Sequence, residues 1–266
     1  MTRPDLSIVI PSYNEAERLV PTLRRVMAWA LALPRSVEVL VVDDGSRDET
    51  REIAREFMKA AIEAGQAVPA GVAPTPADGR RAGKPRLRLV ENGRNRGKGY
   101  SVRHGVRESE GQQVLFSDAD LSTPIEDWGL LDAALASADV AIGSRALTTS
   151  RVTRHQPRYR EAMGRIFNRI VQRLAVSGIQ DTQCGFKLFR GDVAREIFAR
   201  AQIDGFAFDV EVLHLAQRAG YRIAEVAVTW ENDERTRVHP IFDSARMFRD
   251  VVGIRVRHAF AKRGTS

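Results

Sequence analysis

Three polar clusters in the sequence stand where short apolar segments end: residues 11–15, 43–46 and 118–120. Each apolar segment has the length and the branched residues of a buried strand, and helix-like sequence follows each cluster. Ligands of open α/β sheets bind outside the carboxyl ends of the strands, so we expect the three clusters to surround one crevice. The chemistry of the protein is therefore predicted at this edge of a sheet.

Asp118-Ala119-Asp120 is the cluster best suited to hold a metal ion. Residues two apart in an extended segment project to the same side, and two close carboxylates repel each other unless a cation lies between them. Such oxygen ligands are typical of Mg²⁺ or Mn²⁺ bound together with phosphates. A solvated turn with a helix cap is the alternative for an isolated Asp-x-Asp, but the position after a strand favours a metal site.

Two further segments have the composition of a nucleotide site. Asp43 and Asp44 end an apolar strand, where one carboxylate could accept hydrogen bonds from a base or ribose while Gly45 permits a tight turn. Residues 92–99 combine glycines with cations that include Lys98, as segments that approach phosphates do. The spacing matches neither a P-loop nor the dinucleotide fingerprint.

The elements that must position these residues alternate between strand and helix. Strands are predicted at residues 6–10, 37–42, 86–90, 113–117, 139–142 and 221–230, and helices at 16–33 and before 108. Ser46 and Glu49 form a capping-box pattern, which predicts a helix opening there and ending near Ala64. This order predicts an α/β fold with a mostly parallel central sheet flanked by helices.

Residues 65–85 interrupt the alternation with glycine, proline and alanine, which predicts a flexible surface insertion. A linker between two domains is the alternative. Because the alternation resumes directly at residue 86, we expect one domain over residues 1–266.

Composition narrows the class of protein. The 266 residues carry a formal net charge of +7, which favours phosphate-rich partners or solubility alone. Cys184 is the single cysteine, so no intrachain disulfide is possible. Neither a membrane-spanning run nor a signal peptide is visible, so a cytoplasmic protein is expected. Aromatic residues make up 7% and no RNA-binding signature is present, so no nucleic-acid partner is predicted.

The clusters resemble the inverting family-2 glycosyltransferases of GT-A fold, which have a single Rossmann-like domain. The residues that carry this resemblance are 11–15, 42–46, 95–99, 118–120 and 143–145. Within the family, the chain most resembles the polyprenyl-phosphate branch and its dolichyl-phosphate β-glucosyltransferases. That finer resemblance rests on residues 181–189, 208–211 and 228–230.

The resemblance implies roles for individual residues. The implied nucleotide-sugar site comprises Pro11, Tyr13, Glu15, Asp43, Asp44, Lys98, Asp118, Ala119 and Asp120, with Asp118 and Asp120 as ligands of Mg²⁺ or Mn²⁺. The implied catalytic residues are Asp120, Arg145, Lys187 and Asp209. Cations near the sugar diphosphate are chemically reasonable, because negative charge develops on the leaving group.

The implied reaction transfers glucose from UDP-glucose to a polyprenyl phosphate in one inverting displacement. GDP-mannose as donor, or a soluble phosphorylated or hydroxyl acceptor, are open alternatives. A phosphate oxygen is already anionic and needs positioning more than deprotonation. A hydroxyl acceptor would need a general base, for which Asp209 or Glu211 is the candidate; pairing with arginines is the alternative role for both.

Two basic amphipathic segments are candidates for contact with the membrane that would contain a polyprenyl acceptor. Residues 160–176 and a C-terminal helix at 242–266 combine apolar residues with arginines, as helices at anionic membrane surfaces do. Packing against the domain is the alternative and is at least as well supported for the first segment. Membrane contact is favoured for the second, which predicts peripheral attachment to the cytoplasmic face of the membrane.

Overall fold

A seven-stranded sheet forms the centre of the structure, a computed structural model that describes residues 3–69, 83–154, 168, 171–231 and 242–258. Its strands are β1 (Leu6–Ser12), β2 (Val37–Asp43), β3 (Arg86–Glu91), β4 (Gln113–Ser117), β5 (Val140–Ser144), β7 (Phe186–Arg190) and β8 (Ile223–Ala227). They lie in the order β3-β2-β1-β4-β7-β5-β8, and β7 runs antiparallel to both of its neighbours. A separate small sheet pairs β6 (Arg151–Arg154) with β9 (Thr229–Glu231). The predicted mostly parallel sheet is confirmed.

The central strands are apolar throughout because both faces of the sheet are covered. Every residue of β2 is buried, and β1 is buried except at Pro11. Successive side chains enter different cores, so that Val9 packs on one face while Ile8 and Ile10 pack on the other. Continuous apolar strands of this kind are typical of a sheet between two helical layers.

Seven α-helices whose bounds lie within the described residues cover the two faces, and residues 171–174 are helical as well. The seven are α1 (Ala16–Ala32), α2 (Thr50–Glu63), α3 (Lys98–Glu108), α4 (Trp128–Ala134), α5 (Gly191–Arg200), α6 (Phe208–Arg218) and α7 (Phe242–His258). Buried residues of α3, α5, α6 and α7 share the core that contains Val9, and those of α1, α2 and α4 share the opposite core. The fold thus has three layers, with the sheet in the middle.

The predicted capping box is wrong. The helix begins at Thr50. Its N-cap residue is Glu49, and the Glu49 side chain makes no capping hydrogen bond. The Ser46 hydroxyl instead accepts a hydrogen bond from the Asn14 N–H at 2.9 Å, while the Asp48 carboxylate accepts one from the Thr50 N–H at 3.1 Å. Ser46 therefore ties the polar cluster after β1 to the cluster after β2, a tertiary contact that takes precedence over the local capping pattern.

Parts of three predictions lie outside the described residues. Of the predicted insertion at 65–85, residues 70–82 lie outside, and Val68 forms an isolated parallel bridge with Arg86 beside β3. Most of the predicted helix at 160–176 also lies outside, as do residues 259–266 of the C-terminal segment. The strand predicted at 221–230 is two strands, β8 and β9, which belong to different sheets.

Candidate active site

A cleft of about 630 Å³ opens where β2, β1 and β4 end, and the three polar clusters meet there. The predicted site residues that line it are Pro11, Tyr13, Glu15, Asp44, Lys98, Asp118, Ala119 and Asp120. Asp43, Arg145, Lys187 and Asp209 do not line it. The structure therefore brings most of the predicted nucleotide-sugar residues together, and of the predicted catalytic residues it places only Asp120 in the cleft.

Asp118 forms an ion pair with the first residue of α3. The Lys98 Nζ lies 2.7 Å from Asp118 Oδ1, and both side chains are partly exposed to the cleft. Burial lowers the pKa of Lys98, but the carboxylates of Asp118 and Asp209 outweigh that effect and raise the pKa above its usual value. Lys98 is thus a fixed positive charge beside the acidic pair at neutral pH.

Asp120 lies at a strained turn. Its Oδ1 accepts a hydrogen bond from the Ser122 N–H at 2.9 Å, and the intervening Leu121 has φ of 47°, in the left-handed region. That conformation costs a leucine roughly 1–2 kcal/mol, and such strain occurs preferentially at functional sites. Burial raises the pKa of Asp120, and the neighbouring Asp118 carboxylate raises it further. A cation beside the two carboxylates would relieve this repulsion.

Gly185 gives the Asp118 carboxylate the space it occupies. A Cβ at Gly185 would overlap the carboxylate atoms of Asp118, and the Gly185 carbonyl accepts a hydrogen bond from the Asp118 N–H at 3.0 Å. A larger residue at this position, which precedes β7, would therefore displace the Asp118 carboxylate. The segment 181–189, singled out in the sequence, thus shapes the acidic pair from behind.

The acidic pair fits a divalent cation that is bound together with phosphates. In the described ranges no group of three acidic, histidine or cysteine side chains could hold a metal ion. Two carboxylates with hard oxygen ligands are nevertheless the usual protein contribution to a Mg²⁺ site that is completed by substrate phosphates and water. Asp118 and Asp120 supply that donor set at the edge of an open cleft.

Residues 95–97, which we call the glycine loop, are held by Asp44. The Asp44 carboxylate accepts hydrogen bonds from the N–H groups of Arg96 and Gly97 at 2.9 and 2.8 Å, and from the Asn92 side chain at 2.8 Å. The amides of Gly99 and Tyr100 donate to the Asp204 carbonyl. These four backbone amides are therefore engaged within the protein.

At this edge of the cleft, charged side chains are available to bind a phosphate. Lys98 and Arg96 both line the cleft, and the Arg96 guanidinium lies 4.5 Å from the centre of the Tyr100 ring. The segment 92–99 was expected to approach phosphates with its glycines and cations, and that contact stays a prediction. Gly97 serves packing: it has φ of 106°, and a Cβ there would overlap the Asp204 carbonyl.

Asp43 is buried beneath the turn that follows β2. It is 1% exposed, and its carboxylate accepts hydrogen bonds from the N–H groups of Gly45 and Ser46 at 3.1 and 3.2 Å. Of the two adjacent aspartates, the structure thus places Asp44 in the cleft wall and Asp43 in the turn behind it. Their predicted contacts to a nucleoside stay predictions.

Arg145 is clamped to Asp181. Its Nε and a terminal nitrogen donate to the two Asp181 oxygens at 2.7 and 2.9 Å, and its guanidinium lies 5.3 Å from the centre of the Trp230 ring. Burial alone would raise the pKa of Asp181, but the Arg145 charge lowers it to about 2. This bidentate pair joins the end of β5 to the segment 181–189.

Lys187 and Asp209 form an ion pair in the interior. The Lys187 Nζ donates to Asp209 Oδ1 at 2.5 Å and to the Cys184 carbonyl at 2.6 Å, and both charged residues are at most 4% exposed. Burial raises the pKa of Asp209, which the ammonium groups of Lys187 and Lys98 offset only in part. The pair links β7 to α6 behind the cleft.

Glu211, the other candidate base, is also enclosed. One of its oxygens accepts hydrogen bonds from the N–H groups of Gln202 and Ile203 at 2.9 and 2.7 Å, and the other lies 2.7 Å from His258 Nε2. The alternative to a role as base was pairing with arginines; the partners found are a lysine for Asp209 and a histidine of α7 for Glu211. Neither carboxylate lines the cleft.

Several lining residues were not predicted from the sequence. They are Arg18 and Ser101, the loop residues Gly205 and Phe206, and the α7 residues Arg246, Met247 and Asp250. The C-terminal helix is therefore one wall of the cleft. Its mixture of apolar and charged residues was visible in the sequence, but the surface on which the helix packs depends on the tertiary fold.

The family model of glycosyl transferase family 2 matches residues 7–198. This span includes the acidic pair, the glycine loop and the segment 181–189. The chain belongs to glycosyl transferase family 2. It is therefore a glycosyltransferase by family, as the sequence resemblance implied.

Named relatives of this family 2 glycosyltransferase include dolichyl-phosphate beta-glucosyltransferases. That of Dictyostelium discoideum is 33% identical over 264 residues, which cover 95% of this chain and 74% of that one. The Homo sapiens protein is 32% identical over 265 residues, covering 95% and 75% of the two chains.

Solved structures share the fold. Mannosyl-3-phosphoglycerate synthase from Rubrobacter xylanophilus superposes with a TM-score of 0.64 at 20% identity, covering 98% of this chain and 77% of that one. Glucosyl-3-phosphoglycerate synthase from Mycobacterium tuberculosis, in complex with Mn²⁺, UDP-glucose and glycerol 3-phosphate, gives 0.59 at 16% identity, with coverage of 98% and 82%. The predicted GT-A fold is confirmed.

Proposed function

We propose that this family 2 glycosyltransferase transfers glucose from UDP-glucose to a polyprenyl phosphate. The observation that carries the proposal is the cleft with the acidic pair Asp118 and Asp120 at the ends of the central strands, in a chain related over most of its length to dolichyl-phosphate beta-glucosyltransferases. The choice of UDP as the nucleotide rests on the resemblance of the sequence motifs.

Asp118 and Asp120 would hold a Mg²⁺ or Mn²⁺ ion, which when bound supplies Lewis-acid neutralisation of the sugar diphosphate. The chain's own cations act on the same charge, because Lys98 and Arg96 line the cleft beside the acidic pair. Electrostatic stabilisation of this kind is effective because the groups are already in place before the reaction. Lys98 is positioned by its ion pair with Asp118.

The displacement balances without a further reactant. A phosphate oxygen of the acceptor forms a bond to the anomeric carbon, the bond from that carbon to the UDP oxygen breaks, and the electron pair leaves with UDP. Since the attacking oxygen is already anionic, no proton has to be removed. Asp209 is paired with Lys187 and Glu211 with His258, and neither carboxylate lines the cleft. Because a hydroxyl acceptor would need one of them as a base, this arrangement supports a phosphate acceptor.

An anionic membrane surface is the proposed partner of α7. Phe248, Val252 and Val256 are 46%, 48% and 71% exposed and lie four residues apart, so they form one apolar stripe along the helix. We call these three residues the exposed stripe. The adjacent Arg249 side chain is 75% exposed. An apolar face bordered by arginine is typical of helices that lie at anionic lipid surfaces.

No helix in the described ranges has both the length and the apolar composition to cross a bilayer. Because the exposed stripe is an apolar face that α7 presents to solvent, binding to vesicles that contain phosphatidylglycerol should depend on it. We expect Val252→Asp to reduce co-sedimentation at least fivefold. Leu130→Ser is the matched control, because Leu130 is 49% exposed on α4; equal loss in both variants, or none in Val252→Asp, would contradict the membrane role.

Donor and metal are tested together by thermal unfolding. A ligand at 100 times its Kd stabilises a protein by about 2.7 kcal/mol, so UDP-glucose with Mn²⁺ should raise Tm by several degrees. GDP-mannose should not, and Asp120→Asn should remove the Mn²⁺-dependent part. Absence of any nucleotide effect in the wild-type protein would refute the enzyme proposal, and stabilisation by GDP-mannose alone would refute the donor.

A further inference from the structure

The helix α7 has two faces with different surroundings. Successive helical residues are about 100° apart, so Arg246, Met247 and Asp250 lie on the face that borders the cleft, and the exposed stripe lies roughly 160° around the helix. Val251 and Ile254, on the cleft side, are fully buried in the core. One rigid element thus contacts the cleft on one face and carries exposed apolar residues on the other.

The cations that line the cleft differ in their partners. Arg18 is paired with Glu15 and Lys98 with Asp118, and Arg96 stacks on Tyr100. Arg246 is exposed, and within the described residues no carboxylate lies at ion-pair distance from it. Among the described cleft cations, Arg96 and Arg246 have no carboxylate partner, and Arg246 also lacks the aromatic contact that Arg96 makes.

Arg246 lies close to Gly205. Its Nε lies 4.0 Å from the position that a Cβ would occupy at Gly205, in the loop that forms the cleft wall before α6. The helix is anchored to the start of the same loop, because His258 of α7 contacts the buried Glu211, which in turn accepts the Gln202 and Ile203 amides. Arg246 therefore lines the cleft from a helix that is anchored to this loop.

We propose that Arg246 binds the phosphate of the polyprenyl acceptor, while the exposed stripe on the opposite face of α7 rests on the bilayer that holds the acceptor's chain. This inference rests on the proposed function and assigns the acceptor end of the site. A helix with its side chains is about 10–12 Å across, and an interfacial helix buries its apolar face about 5–10 Å deep. The cleft face of α7 then lies near the level of the lipid phosphates.

A guanidinium is suited to this role because it presents parallel N–H donors to two phosphate oxygens. Asp250, on the cleft face of the same helix, does not neutralise the charge of Arg246. The Asp250 carboxylate lies 3.6 Å from Arg257 and 4.0 Å from Arg249, so that two other cations already balance it. An incoming phosphate thus meets a net positive wall.

The test separates phosphate binding from membrane recruitment by use of farnesyl phosphate, a soluble short-chain acceptor, without vesicles. We expect Arg246→Gln to raise the KM for farnesyl phosphate at least tenfold, with KM and Kd for UDP-glucose changed less than twofold. Arg246→Lys should recover part of the loss. Arg222→Gln, which removes the same charge from an exposed side chain outside the cleft, should behave as the wild-type protein.

Direct binding gives a second readout. Calorimetric titration of farnesyl phosphate should show weaker binding to Arg246→Gln, while vesicle co-sedimentation stays at the wild-type level. An unchanged acceptor KM in an active Arg246→Gln protein, or an equal loss of UDP-glucose affinity, would overturn the assignment alone. A wild-type protein that binds farnesyl phosphate through Arg246 but transfers no glucose would instead refute the proposed reaction.

Discussion

The buried ion pair of Lys187 and Asp209 makes a quantitative prediction about stability. Both side chains are at most 5% exposed, so Lys187→Met would leave the buried Asp209 carboxylate without the cation that is paired with it. Breaking a buried pair on one side costs about 3–5 kcal/mol. At roughly 2–4 °C per kcal/mol for a chain of this size, Tm should fall by about 6–20 °C.

The double variant Lys187→Met with Asp209→Leu tests whether the loss of stability comes from the unpaired carboxylate. Replacement of both partners by apolar residues of similar volume is often neutral or stabilising, so the double variant should unfold close to the wild-type temperature. Urea unfolding followed by circular dichroism measures both variants. A cost below about 1 kcal/mol for the single change, or a double variant as unstable as the single, would refute the reasoning.

The same double variant tests whether Asp209 is a general base. Loss of a general base lowers turnover by about 10²–10⁴-fold. Because Asp209 lies outside the cleft and is bound to Lys187, we expect the folded double variant to retain turnover within about tenfold of the wild-type value. A loss of a thousandfold in a variant of normal stability would assign Asp209 a part in the chemistry.

Three further predictions concern the supports of the cleft. Gly185→Ala should weaken Mn²⁺-dependent nucleotide binding at least tenfold in a calorimetric titration, because the new Cβ displaces the Asp118 carboxylate. The pKa of the Asp181 carboxyl is about 2 in the folded protein, against a usual 3.8. The carboxylate therefore contributes about 2 kcal/mol to the free energy of unfolding above pH 4, and this contribution is lost as the pH falls toward 2. The free energy of unfolding of Asp181→Asn should fall less steeply over that range than that of the wild-type protein. Asp44→Ala should accelerate hydrogen exchange of the glycine-loop amides, measured by mass spectrometry, because their acceptor is gone.

Each of these has a result that would contradict it. Gly129→Ala is the control for the first, because a Cβ at Gly129 meets nothing within 4 Å; equal binding losses in the two variants would remove the steric argument. Parallel pH profiles for Asp181→Asn and the wild-type protein would mean that the Arg145 pair does not stabilise the fold. Unchanged exchange in Asp44→Ala would show that the loop is held by other contacts.

The sequence predicted the first half of the fold well because its signals are local there. Strands β1, β2 and β4 each appear as a largely apolar run that ends in polar residues, and a parallel sheet brings such ends to one edge. The antiparallel β7 between β4 and β5 was not predicted as a strand. Its apolar run contains Lys187, whose partner Asp209 is 22 residues away and becomes visible only in the folded chain.

The site was predictable in part for the same reason. The acidic pair and Asp44 lie in clusters that the strand ends position, so the sequence placed them together. Arg246 and the stripe on α7 could not be assigned to faces, because the side on which a basic amphipathic helix packs is decided by the surface it meets. Ser46 was assigned to a local cap, whereas it bridges two clusters across the sheet edge.

The central claim is that glucose moves from UDP-glucose to a lipid phosphate, and its most direct test is the fate of the sugar. The protein is incubated with Mn²⁺, labelled UDP-glucose and vesicles that contain a polyprenyl phosphate, and the organic phase is then analysed. We expect labelled glucose on the lipid phosphate. It should be absent with Asp120→Asn and absent when the lipid alcohol replaces the phosphate. Label that stays in the aqueous phase, or lipid-linked product from GDP-mannose alone, would contradict the central claim.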